Sequence, residues 1–147
     1  MPNLQIVSLG PDRLSEAYPL VRAAAQVDAG QWQAYSQALL QDGGGILAVS
    51  AGDGCLHGLA AYREAGSLRH GRSLQVDLIV AFELSRLGPV RKALVAALET
   101  LARARGCHSL SYTLAARGNA DPRSRGRMGW EELGLEMETV GFVRELS

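Results

Sequence analysis

The residues of greatest chemical interest surround one junction, where an apolar strand leads through a short turn into a long helix. The strand ends near Phe82, the turn contains Gly88, and the helix continues to Arg105. The first N–H groups of a helix have no acceptor inside it, and the helix dipole adds partial positive charge there. A junction of this kind predicts a binding site for an anion such as a phosphate.

Two carboxylates near this junction are candidates for a general base. Asp77 is an acid inside the apolar strand, and Glu83 follows the end of that strand. A positioned carboxylate can remove a proton from a reacting group, and Asp77 is the first candidate for that role. Strand alternation places Asp77 on the face of Ile79, opposite Leu78. The alternatives are a solvated or hydrogen-bonded place on the sheet for Asp77 and a solvated turn for Glu83.

Composition sets the class of protein. The chain has 147 residues, of which 47% are apolar and 20% charged, and its formal net charge is zero. These values are typical of a soluble globular protein, here a single domain over 1–147. No signal-peptide pattern or apolar run of ~20 residues is present, so we expect a cytoplasmic protein without a membrane partner. Lys92 is the only lysine, which is typical of a high-GC bacterial genome.

Cysteine and histidine spacing predicts no metal site. Cys55 and Cys107 lie far apart, and neither His57 nor His70 has a second ligand at metal-binding spacing. We therefore expect two free thiols in a reducing compartment, and histidines that are structural or solvated.

The hydrophobic pattern predicts the elements that position these groups. Strands are expected over 4–9, 46–51, 56–63, 73–82, 109–114 and 135–146, and helices over about 12–24, 31–41, 88–105 and 127–133. Pro19 should kink or shorten the first helix, and Asp121-Pro122 is a candidate start for a late one. The predicted class is α/β (α+β), a mixed, mostly antiparallel sheet with a central parallel strand–helix–strand unit and helices on both faces.

This order of elements resembles the GNAT N-acetyltransferase superfamily over almost the whole chain. The hairpin Gly43–Arg63 resembles the second and third strands of that family. Its central motif, a strand followed by Arg/Gln-x-x-Gly-x-Gly/Ala, is similar to Leu78-Ile79-Val80 and Ser85-Arg86-Leu87-Gly88-Pro89-Val90. The late segment Trp130–Glu136 resembles the family's Tyr-Glu-x-x-Gly-Phe step.

The resemblance implies acetyl-CoA as co-substrate, bound where the two parallel strands splay apart. The backbone of Leu78, Ile79 and Val80 would pair with the pantetheine arm. The pyrophosphate would lie on the turn and helix start, at Arg86, Leu87, Gly88, Pro89, Val90 and Arg91. An amine would then attack the thioester directly, so catalysis would consist of positioning and the removal of one proton.

The turn departs from the family pattern at three positions. Ser85 stands where the family has Arg or Gln, although the adjacent Arg86 could supply the charge. Pro89 has no N–H to donate, and the branched Val90 stands where the family has Gly or Ala. Two interpretations remain open: a divergent pyrophosphate cradle, or a helix start that has lost or weakened CoA binding.

The group that would protonate the leaving thiolate also differs. Family members often use a tyrosine in the last helix, and Trp130 occupies that place here. An indole N–H is too weak an acid for this role. Tyr112 on the neighbouring strand is the candidate substitute, and its alternative role is in the core with Leu110 and Leu114.

A local run of arginines follows the last predicted parallel strand: Arg117, Arg123, Arg125 and Arg127. It could be a mobile solvated loop, contact the CoA 3′-phosphate or an acidic substrate, or bind nucleic acid. The neutral chain lacks an extended basic face with interleaved aromatics, which argues against a nucleic-acid partner.

The sequence therefore predicts an N-acetyltransferase that moves acetyl from acetyl-CoA to a primary amine of a small molecule or a protein. The resemblance also implies a homodimer. The alternative function is a non-catalytic acyl-CoA-binding or protein-interaction module. A third hypothesis is a nucleic-acid-binding domain that uses the 117–127 run.

Overall fold

The structure is a computed structural model that describes residues 3–83 and 88–146. The chain divides into two compact units, Met1–Leu114 and Ala115–Ser147. The strands and the first three helices that the structure describes belong to the first unit, and the last helix belongs to the second.

The first unit follows the predicted order of elements. It contains β1 (Gln5–Ser8), a 3₁₀ turn (Pro11–Arg13), α1 (Leu14–Ala25), α2 (Ala29–Gln41), β2 (Gly45–Ser50), β3 (Leu56–Ser67), β4 (Gly71–Ala81), α3 (Pro89–Ala104) and β5 (Ser109–Tyr112). The helix α1 continues through Pro19 and spans 12 residues. A capping box at Asp28 begins α2, because its carboxylate accepts from Gln31 N–H and the Gln31 side chain bonds back.

The five strands form one sheet in the order β1-β2-β3-β4-β5. The first four strands pair with one another in antiparallel orientation, and β5 lies parallel to β4 after the crossover through α3. The predicted mixed, mostly antiparallel α/β class is confirmed.

Helices cover both faces of the sheet, as predicted. One face packs against α1 and α2, in a cluster that includes Leu14, Val21, Trp32, Ile46, Leu59 and Val80. The other packs against α3, in a cluster that includes Val49, Leu74, Val76, Val90, Leu94 and Leu98. Each face therefore buries a continuous set of apolar side chains, which is the main stabilising contribution to such a fold.

The helix α3 approaches the sheet closely at Gly58 of β3. A Cβ at this position would lie 2.6 Å from Val90 Cγ1, 2.9 Å from the Val80 carbonyl oxygen and 3.2 Å from Leu94 Cδ1. A glycine is therefore required here because any side chain would displace the start of α3 or the backbone of β4.

The second unit contains α4 (Arg125–Glu132). Its first turn is capped by Ser124, whose Oγ accepts a hydrogen bond from Arg127 N–H at 3.2 Å. The predicted helix is confirmed, but it begins at Arg125, after the N-cap Ser124, and not at Asp121-Pro122. It is followed by Gly134, whose φ of +89° suits a glycine.

The predicted strand over 135–146 is wrong: the structure shows no strand there. A strand needs a neighbouring strand to satisfy its main-chain groups, and alternation in the sequence cannot supply one. No helix in the described residues is long and apolar enough to cross a membrane.

We predict that Gly58→Ala lowers the free energy of unfolding by about 1–3 kcal/mol, because the added methyl group overpacks the α3–sheet contact. Gly52→Ala is the matched control, since a Cβ there meets nothing within 4 Å. Urea unfolding of both variants measures the difference.

The same contact predicts coupling between Gly58 and Val90. The combined change Gly58→Ala with Val90→Ala should cost less than the sum of the single changes, because the shorter side chain makes room for the new methyl group. Additive costs would contradict the close contact.

Candidate functional site

The start of α3 presents a small set of hydrogen-bond donors. Gly88 is the N-cap residue and has φ 64° and ψ 44°, in the left-handed region that favours glycine. Pro89 has no N–H, and Lys92 N–H already donates to the Gly88 carbonyl at 3.0 Å. The N–H groups of Val90 and Arg91 lie between them and are the donors that the first turn directs outward.

Glu83 binds both of these donors with its carboxylate. Its Oε1 accepts from Val90 N–H at 2.8 Å, and its Oε2 accepts from Arg91 N–H at 3.2 Å. The expectation that Glu83 is a solvated turn residue is therefore wrong. A carboxylate at a helix start is favourable because it satisfies orphan N–H groups at the positive end of the dipole.

The side chain of Val90 does not obstruct these donors. It is 1% exposed and belongs to the cluster between α3 and the sheet. Its Cγ1 lies against Gly58, so the branched side chain points into the core while its N–H reaches an anion. The branched side chain therefore does not block an anion at the Val90 N–H. Ser85 and the predicted contacts Arg86 and Leu87 lie outside the described residues.

The parallel strands part beside this helix start. β5 pairs with β4 from Ser73 to Val76, and the last bond links Thr113 N–H to the Val76 carbonyl at 2.9 Å. From there to Ala81, β4 continues beside β3, and no described strand pairs with it on the other side.

Main-chain groups of β4 are directed toward this gap. Phe82 N–H donates to the His57 carbonyl on β3 at 2.8 Å. Because main-chain groups alternate along a strand, those of Ile79 and Ala81 point away from β3. Of the three strand residues predicted to pair with a pantetheine arm, Ile79 therefore has its N–H and C=O on the open side.

A β-bulge at Asp77 changes the predicted alternation. Ala61 of β3 lies opposite Leu78, and Tyr62 lies opposite Val76, so Asp77 is the extra residue on β4. Beyond the bulge, Leu78 and Val80 pack on the α1–α2 side, whereas Ile79 packs on the α3 side. The predicted grouping of Asp77 with Ile79, opposite Leu78, is wrong because a bulge inserts one residue into the alternation.

Asp77 forms an ion pair with a residue of β3 and interacts electrostatically with a tyrosine of α2. Its Oδ2 lies 2.8 Å from Arg63 Nε, in an ion pair with side chains 27% and 49% exposed. Tyr35 of α2 lies close enough to interact with both charges. Burial and the negative charge of Asp77 raise the pKa of Tyr35, and the positive charge of Arg63 opposes this effect.

Tyr112 lies at the same level of the sheet but on the other face. It is opposite Val76, at the last pair before the strands part, and is half-buried against the α3 cluster. Burial, followed by the negative charge of Glu99, raises its pKa well above the ordinary tyrosine value. A raised pKa makes the hydroxyl a weaker proton donor, and its catalytic role stays a prediction.

The arginine run in the second unit includes one structural residue. Arg127 Nη1 donates to the Ala120 carbonyl at 2.7 Å, and its Nε lies 3.4 Å from Glu131 Oε1. Arg127 therefore connects the preceding loop to α4 and is not part of a solvated cationic surface.

The remaining candidates are the cysteines and a histidine. Cys55 is exposed and Cys107 half-buried, and both are free thiols. His57 Nε2 lies 3.6 Å from Asp53 Oδ2. Within 3–83 and 88–146, no group of three or more His, Cys, Asp or Glu residues could hold a metal ion.

Sequence reasoning missed the capping role of Glu83. The available signal was an acid shortly before a helix that starts with proline, since acidic residues favour helix starts. It also missed Arg63 and Tyr35, because their relation to Asp77 depends on the pairing of β3 with β4 and on the packing of α2.

Comparison with solved structures identifies the fold. No protein-family model matches the chain, and no curated protein sequence matches it either. Solved structures, in contrast, match the chain. The aminoglycoside N-acetyltransferase AAC(6')-Iy in complex with CoA has a TM-score of 0.80 at 18% identity. That match covers 99% of this chain and 96% of the other.

Two further structures are similar over their whole length. The aminoglycoside 6'-N-acetyltransferase AAC(6')-Ih from Acinetobacter baumannii has a TM-score of 0.80 at 12% identity, covering 99% of this chain and 100% of the other. The ribosomal-protein-alanine N-acetyltransferase from Brucella melitensis biovar Abortus 2308 has a TM-score of 0.74 at 24% identity, covering 98% and 100%. The chain therefore has the GNAT fold.

The geometry around Asp77 predicts opposite responses of Tyr35 to two substitutions. Asp77→Asn removes a negative charge and should lower the pKa of Tyr35, whereas Arg63→Met removes a positive charge and should raise it. The measurement is an NMR titration of tyrosine labelled at Cζ, with Tyr35→Phe to assign the signal. An unchanged Tyr35 midpoint in both variants would contradict the proximity of the three side chains.

Proposed function

We propose that this GNAT-fold chain is an N-acetyltransferase that moves an acetyl group from acetyl-CoA to a primary amine. The proposal is supported by one observation above all: outward-facing helix N–H groups lie at the end of a strand whose neighbouring edge is open. The first feature suits a phosphate, and the second suits an extended amide-containing arm.

The residues of the chain fit acetyl-CoA. Val90 and Arg91 already hold an anion through their main-chain N–H groups, which is the contact that a pyrophosphate needs. Gly88 has no side chain to obstruct the approach, and Ile79 directs main-chain groups into the gap. Acetyl-CoA would supply an activated thioester.

The reaction needs one new bond and one broken bond. The amine nitrogen bonds to the acetyl carbon while the carbon–sulfur bond breaks, and the electron pair leaves with the sulfur. Asp77 takes the proton of the amine, directly or through water, and Arg63 holds its carboxylate in place. The thiolate takes a proton from solvent or from Tyr112. Positioning of the amine supplies much of the remaining rate acceleration.

The acceptor is a primary amine of a small molecule or of a protein. The neighbours named above include aminoglycoside N-acetyltransferases and a ribosomal-protein-alanine N-acetyltransferase. Asp77 supports an acceptor that arrives as an ammonium ion, because a carboxylate 27% exposed can pair with that charge. The ammonium ion then loses one proton to solvent, and Asp77 takes the second proton as the neutral amine attacks.

A second candidate is a non-catalytic module that binds acyl-CoA or a protein. It is favoured by the capping contact of Glu83, since the donors needed for a phosphate already have an acceptor within the chain. The two functions differ in one measurable respect: both allow CoA binding, but the enzyme alone releases CoA thiol when an amine is added.

We predict that acetyl-CoA binds the wild-type chain and that a panel of primary amines releases free thiol. Asp77→Asn should bind acetyl-CoA with similar affinity but release thiol about 10²- to 10⁴-fold more slowly, because the proton acceptor is lost. Calorimetry measures binding, and a thiol-reactive dye measures turnover.

Asp42→Asn is the matched control, because it removes an exposed carboxylate at the end of α2. It should leave both quantities unchanged. Absence of CoA binding at millimolar concentration would contradict the enzyme proposal, and binding without amine-dependent thiol release would favour the non-catalytic module.

We also propose that the chain forms a homodimer through its C-terminal segment, 135–146. Phe142 and Val143 of this segment are 96% and 92% exposed, and Val140 and Leu146 are exposed as well. A contiguous exposed apolar segment is typical of a protein–protein interface. A second copy is the proposed partner, because the short strand β5 lies at an edge of the described sheet and can accept another strand.

We predict that Phe142→Asp combined with Val143→Asp raises the dimer dissociation constant at least about tenfold, because charges replace buried apolar contacts. Analytical ultracentrifugation measures the constant. Leu68→Asp is the control, since Leu68 is fully exposed in the β3–β4 turn and far along the chain from the segment. A monomeric wild-type chain, or equal effects of both changes, would contradict this proposal.

A further inference from the structure

We propose that Glu83 competes with the pyrophosphate of acyl-CoA for the first N–H groups of α3, and that it thereby lowers the affinity of the chain for CoA. This inference rests on the proposed function, because it concerns the same anion site. It adds a residue that sets the affinity of that site and that no motif of the sequence identifies.

The contact uses the whole carboxylate. Both Glu83 oxygens are engaged, Oε1 with Val90 N–H at 2.8 Å and Oε2 with Arg91 N–H at 3.2 Å. The side chain is half-buried, so these bonds are partly shielded from water. Hydrogen bonds to a charged acceptor are stronger than those between neutral groups. Glu83 is therefore held firmly at the start of the helix.

Within the described first turn, residues 89–92, few main-chain donors are open to a phosphate. Pro89 lacks an N–H, and Lys92 N–H is used inside the helix by the Gly88 carbonyl. Val90 and Arg91 are therefore the donors that residues 89–92 have for a ligand, and both donate to Glu83. The Gly88 N–H precedes them as a further donor at the cap. Proline at the first helical position thus strengthens the competition between Glu83 and a phosphate, because it lacks an N–H that one of the two anions could have used.

Simultaneous binding of both anions is unfavourable. A phosphate oxygen within hydrogen-bond distance of Val90 N would lie where Glu83 Oε1 now lies, and the two negative charges would repel each other. Gly88 allows the carboxylate to come close, since a Cβ there would lie 3.1 Å from Glu83 Oε2. A pyrophosphate that uses these two donors must therefore break both Glu83 bonds and move the carboxylate away.

The competing interpretation is that Glu83 is a helix cap and nothing more. A cap stabilises α3 in every state, so its loss would destabilise the chain without improving ligand affinity. A competitor stabilises the ligand-free state alone, so its loss makes CoA bind more tightly. The two roles therefore differ in whether the loss of Glu83 raises the affinity for CoA.

The test uses Glu83→Gln and Glu83→Ala in the full chain, with calorimetric titration of CoA and of inorganic pyrophosphate. We expect both variants to bind these ligands about 3- to 30-fold more tightly than the wild type, the range set by one charge at a helix start. Acetyl-pantetheine, which lacks the pyrophosphate, should bind all three proteins equally. Both variants should also have a lower Tm without ligand, because a cap is lost.

Glu16→Gln is the matched control, since it removes the same charge from an exposed side chain of α1. It should change none of these affinities. Circular dichroism verifies that each variant is folded. Because two different substitutions are made at Glu83, the test can still be read if one of the variants misfolds.

The outcomes separate this inference from the proposed function. Wild type and variants that bind CoA with equal affinity, or variants that bind it more weakly, would overturn the competition and leave the acetyltransferase proposal intact. A gain in affinity that extends equally to acetyl-pantetheine would also overturn it. If no variant binds CoA or pyrophosphate, the proposed function fails and the competition fails with it.

Discussion

The contact between Val90 of α3 and Gly58 of β3 determines where the candidate site lies. Because Val90 is buried there, the first turn of α3 is pressed onto the sheet and its N–H groups lie at the end of β4. A larger residue at Gly58 would move the helix start, and with it the donors. The position of the anion-binding N–H groups therefore depends on an apolar contact that does not itself bind the anion.

The second constraint is the change of partners along β4. Up to Val76 the strand pairs on both sides, and beyond it β3 is its only partner among the described residues. The bulge at Asp77 lies at this transition, where it turns a carboxylate toward Arg63 and Tyr35. One short stretch thus combines an open strand edge with a positioned acid, and this combination supports an acyl transfer better than either feature does alone.

The departures from the family's turn pattern differ in how strongly they affect anion binding at the helix start. Valine at position 90 is compatible with an anion at its N–H, because its side chain is buried elsewhere. Proline at position 89 removes a donor, and Glu83 occupies the N–H groups of Val90 and Arg91 that follow it. In the proposed competition, the affinity for acyl-CoA therefore depends on a carboxylate outside the motif as well as on the altered residues Pro89 and Val90.

The sequence by itself determined the order of elements, the mixed sheet, the placement of helices on both faces and the anion-ready start of α3. These follow from hydrophobic period and local helix-start chemistry, which are recorded in neighbouring residues. The tertiary structure decided the bulge at Asp77, its pairing with Arg63, the capping by Glu83 and the absence of a described strand over 135–146. Those depend on contacts between residues distant along the chain, and a periodic pattern carries no information about which distant partner is present.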